Sequence, residues 1–407
     1  MLDLTEKSKE LDIAQLIDEV SSSVHETKNA NSIFQRVPYY FNKWKEKIDE
    51  FKKHYPLLTY SVKRIVLSII TVYVTIAIVY CMLNFIISDS TFTLDLNDKL
   101  IAQNGGVNGE WYQNILRSRK AKLGVDKPLI TQILYYWRNI TPIIPKKIEI
   151  ISSQPGDPIT TYETVTKWFY LGLSLSRDVA GQFGKPISGI FAKAMPLSFL
   201  VGGTGTLLSF FVGIPLGILL ARKKDKPLDT IITTITLALI AIPVLVIIVP
   251  FYQFTLIFLG SKTSWDSLST IHKAFPIIAI MLLVTPGIII ETRRLVIDEM
   301  TADYTKFANS KGLSETYVFY VHVFRNAFIR MVRNIPTIFL FTIFGSSILI
   351  ETMWQMKGMS YYMVRAIKFT DVFTVLGFAT LSASLGIITT LIGDLLLAIL
   401  DPRVSLK

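Results

Sequence analysis

The sequence of 407 residues is 51% hydrophobic and only 18% charged, and its mean hydropathy is +0.44. These values exclude an ordinary soluble globular protein and favour a chain that spans a lipid bilayer. The excess of 42 Lys and Arg over 31 Asp and Glu fits three explanations: a nucleic-acid partner, an anionic membrane surface, or basic loops on one side of a membrane.

Residues 1–64 precede the first apolar run and fall into two parts. Residues 1–30 are polar and acidic, whereas the second part is basic and aromatic, with Tyr40, Lys43 and Trp44 close together. Such a mixture can contact nucleic acid, but next to a membrane span it favours an amphipathic segment on lipid headgroups. We therefore predict a cytoplasmic N-terminal extension at 1–64 with membrane lipid, and no nucleic acid, as its partner.

Uncharged stretches long enough to cross a hydrocarbon core of about 30 Å indicate an all-α membrane protein with six transmembrane helices. The third stretch contains Pro243 and Pro250 and is too long for one straight span, so its crossing is placed near 231–253. The fourth and fifth stretches are short and need their flanks. The predicted spans are 65–87, 197–221, 231–253, 274–290, 334–350 and 372–400, the last five forming a core at 197–400.

Lys and Arg near the ends of spans predict the orientation, because they resist translocation across the membrane. These cations cluster at 63–64, at 222–226, in the loop 291–333 and in the tail 401–407. A path of six spans places all four clusters on one side. We therefore predict a multi-pass protein of the cell (plasma) membrane with both termini, including the tail 401–407, in the cytoplasm. Residues 88–196 are then an extracytoplasmic insert between the first and second helices.

The residues that support chemistry are few. There is no phosphate loop, and Gly202, Gly203 and Gly205 lie within a predicted span, where they indicate close helix packing. The four histidines are scattered, and Cys81 is the single cysteine. We predict no catalytic, cofactor-binding or metal-binding residues in this chain, and no enzyme activity of its own.

Three carboxylates lie at or inside the ends of the predicted spans. Glu291 and Glu351 are expected to be interfacial anchors, with substrate binding as the alternative. Asp394 lies inside the last span, where an ionised group is costly and indicates either a functional group or a polar contact to a neighbouring helix or cation. So few buried charges count against a proton-coupled carrier.

The loop at 295–333 has the clearest pattern. Tyr304, Phe307, Ala308 and Lys311 follow helical spacing and share one face, and Thr305 is expected on the opposite, dispensable face. Gly312 suits the left-handed position after a helix, with Leu313 folding back as its apolar contact, and Ser314 can cap a second helix. The pattern predicts a helix, a sharp turn and a second helix, and a plain amphipathic surface helix is the alternative.

These residues resemble the permease subunits of binding-protein-dependent ABC importers, specifically the oligopeptide and dipeptide permease B type. The resemblance covers about residues 60–407, but Arg330 and Lys357 stand where that family typically has proline. It rests on Asp303-Tyr304, Ala308, Lys311-Gly312-Leu313-Ser314 and His322-Val323-Phe324-Arg325-Asn326-Ala327, and on similar segments at 123–129, 213–217, 350–354 and 394–403.

The resemblance implies a fold of six transmembrane helices and a permease subunit that forms half of a path for oligopeptides. It implies three kinds of partner, in addition to the membrane lipid expected at residues 1–64: a second permease in a heterodimer, two cytoplasmic ATPases that bind the ATP, and an extracytoplasmic peptide-binding protein. Alternatives are a secondary active transporter and a permease for a non-peptide solute such as nickel or heme. The implied ATPase-coupling residues are Asp303, Tyr304, Phe307, Ala308, Lys311, Gly312 and Leu313.

Overall fold

The computed structural model describes residue 54 and residues 56–93, 96–151 and 162–400. Nearly all of the predicted N-terminal extension and the whole tail at 401–407 lie outside these residues. The chain divides into two compact units, residues 1–64 with 405–407 and residues 65–404. The features described below belong to the second unit, apart from the first turns of helix α1.

The first part of the described chain is one long apolar helix followed by small helices and two short antiparallel strand pairs. Helix α3 ends at Leu123 and is followed by Gly124, whose φ of 70° is the left-handed conformation that glycine readily adopts. The elements are α1 Pro56–Asn84, α2 Asp98–Gln103, α3 Glu110–Leu123, α4 Leu129–Ile140, β1 Lys146–Ile151, β2 Tyr162–Lys167, β3 Leu173–Ser174, α5 Arg177–Ala180 and β4 Lys185–Pro186. Strand β1 pairs with β2, with Lys146 opposite Lys167, and β3 pairs with β4.

The second part is helical throughout. Two π-helical segments, Val318–Phe324 and Thr342–Ser346, join α11, α12 and α13 into one run from Glu315 to Met353. The helices are α6 Ile187–Arg222, α7 Pro227–Ala241, α8 Val244–Ile257, α9 Ala274–Thr301, α10 Asp303–Ser310, α11 Glu315–Tyr317, α12 Arg325–Phe341, α13 Ser347–Met353, α14 Met359–Lys368 and α15 Val372–Leu400.

Five helical segments of the described chain are long and apolar enough to cross a membrane, and a bent pair makes a sixth candidate. The all-α prediction is confirmed, but the third predicted span is not straight. Helices α7 and α8 meet at an angle of 95°, and the break falls at Pro243, directly before α8. Proline cannot donate a backbone hydrogen bond and clashes with the preceding turn, so α7 ends before it.

The ends of several helices differ from the predicted spans. Helix α6 begins at Ile187 rather than at 197, because Lys193 and Pro196 end an uncharged stretch without ending a helix. Helix α9 continues to Thr301, so the predicted coupling loop at 295–333 is itself mostly helical. Helix α15 extends past Asp394 to Leu400, over the same residues as the last predicted span.

Glycines bring helices α6 and α9 into close contact. A Cβ at Gly205 would lie 2.7 Å from Ile280 Cγ2, one at Gly213 would lie 2.8 Å from Ile288 Cγ2, and one at Gly217 would lie 2.6 Å from Thr292 Cβ. Real Cβ atoms do not approach so closely, so the predicted close packing is confirmed at Gly205 and extends along the helix. The paired residue numbers rise together, which makes α6 and α9 parallel.

The segment between α1 and α6 packs into the helical core through α4. Trp137 Nε1 donates to the carbonyl oxygen of Tyr73 in α1 at 3.1 Å, and the hydroxyls of Tyr136 and Thr380 in α15 lie 2.9 Å apart. Ile76, Tyr136 and Ile140 are buried in the same apolar cluster. Helix α4 is therefore held between two candidate membrane spans.

Candidate functional site

Helix α10 follows α9 after a single non-helical residue, Ala302, and forms the predicted helix at Asp303–Ser310. The turn after it is also confirmed, because Gly312 has a φ of 78°, the left-handed region that favours glycine. Ser314 caps the next helix, since its Oγ accepts a hydrogen bond from the N–H of Tyr317 at 3.4 Å. The sequence thus predicted the backbone of this site correctly.

Polar contacts fix α10 against the neighbouring helices. Thr305 Oγ1 donates to the carbonyl oxygen of Glu299 in α9 at 2.7 Å. The Glu299 carboxylate accepts hydrogen bonds from the Tyr304 hydroxyl and from the Arg330 guanidinium of α12. Burial raises the pKa of Tyr304, so its hydroxyl remains a donor at neutral pH. Glu299 therefore joins α9, α10 and α12 at one point.

The residues predicted to share one face of α10 differ in exposure. Phe307 is 62% exposed, and Lys311 Nζ lies 4.5 Å from the centre of its ring, whereas Ala308 is buried. Thr305, expected on a dispensable exposed face, is also buried, because that side of the helix packs on the end of α9. Asp303 is fully accessible and pairs with Lys306 at 3.0 Å. Phe307 and Lys311 are thus exposed at the surface, whereas Ala308 and Thr305 are buried beneath them.

A groove of about 750 Å³ lies beside α10, between it, the π-helical segment, α12 and the end of α15. Four cationic or titratable basic side chains line it, and the single carboxylate in its lining, Glu299, is already bonded to Arg330. The groove is therefore suited to apolar and acidic side chains of another protein. Its lining is Glu299, Tyr304, Phe307, Ala308, Lys311, Leu313, Val321, His322, Arg325, Asn326, Ile329, Arg330 and Leu400.

Sequence reasoning missed the residues that hold α10 in place. Glu299 and Arg330 are 31 positions apart, so no periodic pattern connects them. The sequence shows Arg330 as one of the cations of the loop 291–333 and as a departure from the family, and the structure gives it a partner in Glu299. This pairing of an acid with a base can be recognised only when the packing of α9 against α12 is known.

Asp394 makes the polar contact that its position in α15 predicts. Its Oδ1 lies 3.1 Å from Arg333 Nη2 of α12. The two helices approach closely here, because a Cβ at Gly393 would lie 2.5 Å from the carbonyl oxygen of Arg333. Asp394 therefore has a cationic partner on a neighbouring helix, which is one of the two alternatives that the sequence left open.

Glu351 is not the interfacial anchor that the sequence predicts, because it is only 1% exposed. Its Oε1 accepts a hydrogen bond from Ser198 Oγ of α6 at 2.7 Å, and its Oε2 accepts one from the N–H of Tyr361 in α14 at 3.0 Å. Ser198 Oγ in turn accepts from the N–H of Met359 at 2.8 Å. The carboxylate therefore fixes the segment that turns back between α13 and α14.

The glycine in that segment is required by the same carboxylate. A Cβ at Gly358 would lie 2.4 Å from Glu351 Oε2 and 2.6 Å from Ser198 Oγ. Glu291, the other predicted anchor, is more accessible and contacts Arg294 at 3.1 Å and Asn334 at 3.0 Å. Within the described residues, no group of three or more His, Cys, Asp or Glu is arranged to hold a metal ion.

Comparison with known proteins finds a family model that matches the part of the chain containing this site. A family model described as the binding-protein-dependent transport system inner membrane component matches residues 213–406. The chain is 31% identical over 216 residues to the oligopeptide transport system permease protein AmiC of Streptococcus pneumoniae, a match that covers 51% of this chain and 42% of that protein. It therefore spans less than half the length of that relative.

Two relatives from Bacillus subtilis (strain 168) are matched over more of their length. The dipeptide transport system permease protein DppB is 28% identical over 243 residues, which cover 58% of this chain and 78% of that protein. The oligopeptide transport system permease protein AppB is 25% identical over 304 residues, which cover 63% of this chain and 92% of that protein. The family match includes α10 and the whole groove.

Proposed function

The chain belongs, over residues 213–406, to the binding-protein-dependent transport system inner membrane component family, that of ABC importer permeases, and on this basis we propose that it is the permease subunit of an ATP-driven peptide importer. It is an integral membrane protein whose helices form part of the translocation path. The relatives named for oligopeptide and dipeptide transport support peptides as the cargo.

The observation that carries this proposal is the exposed Phe307 and Lys311 on a helix that is otherwise fixed to the membrane core. A large apolar side chain at 62% exposure, beside a basic groove, fits a protein partner better than it fits water. We propose that a cytoplasmic ATPase covers this surface. The ATPase would bind the ATP, and this chain would contribute no nucleotide site.

The proposed assembly pairs this chain with a second permease, two ATPases and an extracytoplasmic peptide-binding protein. Closure of the ATPases would displace α10 and, through Glu299 and Arg330, the ends of α9 and α12. Such a displacement can switch the access of a central path by rigid-body movement of the spans. In this arrangement both termini lie in the cytoplasm.

Uptake of a radiolabelled peptide by cells that lack this chain, with and without its restoration, tests the proposed function. Restored uptake should be blocked by vanadate and should persist in the presence of a protonophore. Uptake that a protonophore abolishes while vanadate leaves it intact would indicate a secondary active transporter. Competition by nickel chelates or heme, with no effect of peptides, would indicate a non-peptide cargo.

The coupling part of the proposal is tested by Phe307→Asp, with Phe307→Leu as the matched control. The aspartate should abolish copurification of the ATPases or substrate-stimulated ATP hydrolysis, because it places a charge in an apolar contact. Leucine should retain most of both. Normal ATPase coupling in Phe307→Asp, at normal membrane levels, would contradict the assignment of this surface.

A further inference from the structure

The loop between α4 and β1 exposes a continuous apolar surface. Pro142, Ile143, Ile144 and Pro145 are all exposed, and Ile143 is 79% accessible. Trp168, which is 58% accessible, directly follows β2 on the other side of the hairpin. We call these five residues the apolar tip.

The apolar tip has a defined shape because a buried lysine joins its two sides. Lys146 is 2% exposed, and its Nζ donates to the carbonyl oxygen of Trp168 at 2.6 Å and to that of Thr141. Lys146 is also paired with Lys167 across the hairpin. Lys146 therefore ties Thr141, at the start of the loop, to Trp168 across the hairpin.

Contacts with α1 fix the depth of the apolar tip. Thr141, the residue before it, has its hydroxyl 2.6 Å from the Tyr73 hydroxyl, and Trp137 donates to the carbonyl oxygen of Tyr73. From Tyr73 to Asn84 the helix rises about 16 Å at about 1.5 Å per residue. One leaflet of the hydrocarbon core is about 15 Å thick. The tip thus starts at a level of α1 that lies inside the membrane.

The neighbouring surface of α1 continues the same apolar character. Ile70, Val74 and Ile78 follow one face of α1 at intervals of four residues and are all about half exposed. A helix face of this kind in a membrane span contacts acyl chains. The apolar tip follows Thr141, which contacts α1 at Tyr73 and so lies at the level of these exposed residues.

Three cations border the apolar tip, at Arg138 on α4, Lys147 on β1 and Lys167 on β2. Their long aliphatic stems can lie along apolar surface while the charged ends reach the headgroup region. An apolar centre with tryptophan and a cationic border is the pattern of segments that dip into one leaflet.

We propose that the apolar tip is inserted among the acyl chains of the phospholipid leaflet on the side of the insert, with the side chains of Arg138, Lys147 and Lys167 extending toward the headgroup region. The occupant is phospholipid because the tip lies at the level of the span itself. The insert is then a lipid-anchored part of the membrane domain as well as a surface for an external partner.

Lipids carrying a doxyl quencher on the acyl chain test this insertion in the full-length chain reconstituted into phosphatidylcholine and phosphatidylglycerol vesicles. Cys81 is the single cysteine, so a Cys81→Ser background accepts one NBD fluorophore at Ile143→Cys or, as the control, at the exposed Asn104→Cys. The fluorophore at 143 should be quenched several-fold more than the one at 104 and should emit at shorter wavelength.

A second pair of variants separates insertion from a change of fold. In the protein labelled at 143, Ile144→Asp should relieve the quenching, because the charge opposes burial in hydrocarbon, whereas Ile144→Leu should retain it. Equal quenching at 143 and 104 would overturn the proposal. Strong protection of 143 from an impermeant thiol reagent without acyl-chain quenching would also overturn it, because the surface would then be covered by protein.

Discussion

Thr305 is buried, although helical spacing predicts that its hydroxyl is exposed. Its place on the side of α10 away from Phe307 is what the spacing requires, but that side packs on α9 and is buried. The Oγ1 donates to the last turn of α9 at Glu299. The short helix α10 therefore packs on the end of α9 through the face that carries the polar Thr305.

Thr305→Ala should weaken the attachment of α10, because the carbonyl oxygen of Glu299 loses one of its two donors and keeps only the N–H of Ala302 at 3.4 Å. Loss of one such hydrogen bond costs about 1 kcal/mol. Hydrogen exchange of the α10 amides should become measurably faster in the variant. Ser310→Ala is the matched control, because Ser310 is exposed and bonds within its own helix. Equal exchange in both variants would show that the Thr305 contact does not stabilise α10.

Gly312→Val should distort the end of α10, because the left-handed conformation costs a non-glycine residue about 1–2 kcal/mol and more for a branched side chain. No atom lies within 4 Å of a Cβ at this position, so the cost arises from the backbone alone. Gly312→Asn, which tolerates that conformation, should therefore retain ATPase stimulation that Gly312→Val loses. Loss in both variants would point to a contact that requires glycine itself.

At the scale of helices and loops, the segment between α13 and α15 depends on one carboxylate. Glu351 receives hydrogen bonds from α6 and from the first turn of α14, and Gly358 leaves room for it. Burial of an acid is tolerated where several donors converge on it. This acid therefore acts together with apolar packing, because Met356 and Met359 on either side of Gly358 are also fully buried.

Glu351→Ala should destabilise the turn between α13 and α14, because the buried hydroxyl of Ser198 and the N–H of Tyr361 lose their acceptor. Each unsatisfied group costs about 1–3 kcal/mol. Purified Glu351→Ala should unfold at a lower temperature, and Lys357→Cys should become more reactive in that background. Glu351→Gln keeps one acceptor oxygen and should lose less. A Glu351→Ala variant as stable as the parent would contradict this account.

The glycine contact between α6 and α9 predicts a second graded effect. A methyl group at Gly217 would meet Thr292 at 2.6 Å, whereas one at Gly189, in the same helix, would meet no atom within 4 Å. Gly217→Ala should therefore lower the thermal midpoint in detergent, since overpacking costs about 1–3 kcal/mol. Gly189→Ala should leave it unchanged. Equal midpoints would mean that α6 and α9 can separate without cost.

A feature of this structure could be predicted from the sequence when the interacting residues lie close together in the chain. The helix at Asp303–Ser310 and the turn at Gly312 are encoded within a dozen consecutive residues, so spacing and a glycine were sufficient. The partners of Glu351 lie far away in α6 and α14, and no local pattern identifies them. Pro243 indicated that the third span is not a straight helix, but the angle of 95° between α7 and α8 depends on packing.

At the scale of the whole molecule, the insert and the spans share one apolar core. Buried side chains of α1, α4, α6 and α15 form one cluster, and Asp371 before α15 accepts a hydrogen bond from Ser174 Oγ of β3 at 2.5 Å. Burial raises the pKa of Asp371, as expected for a carboxyl enclosed between insert and span. The insert is therefore part of the same folded unit.

Single cysteines test the predicted orientation of this unit in the Cys81→Ser background. Asn104→Cys in the insert should react with an impermeant maleimide from outside sealed cells. Ser310→Cys on α10 should react only from the cytoplasmic side, for example in inverted vesicles. Reaction of Ser310→Cys from outside the cell would place the proposed coupling surface on the wrong side of the membrane.

The constant register between α6 and α9 also bears on whether the number of crossings is odd or even. Residues 205, 213 and 217 meet residues 280, 288 and 292, so both helices descend through the membrane in the same direction. The chain must therefore return to its starting side between Arg222 and Ala274, and within the described residues the bent pair α7 and α8 occupies that interval. If α1, the run from Glu315 to Met353 and α15 each cross once, the number of crossings is even, and α15 ends on the side from which α1 begins.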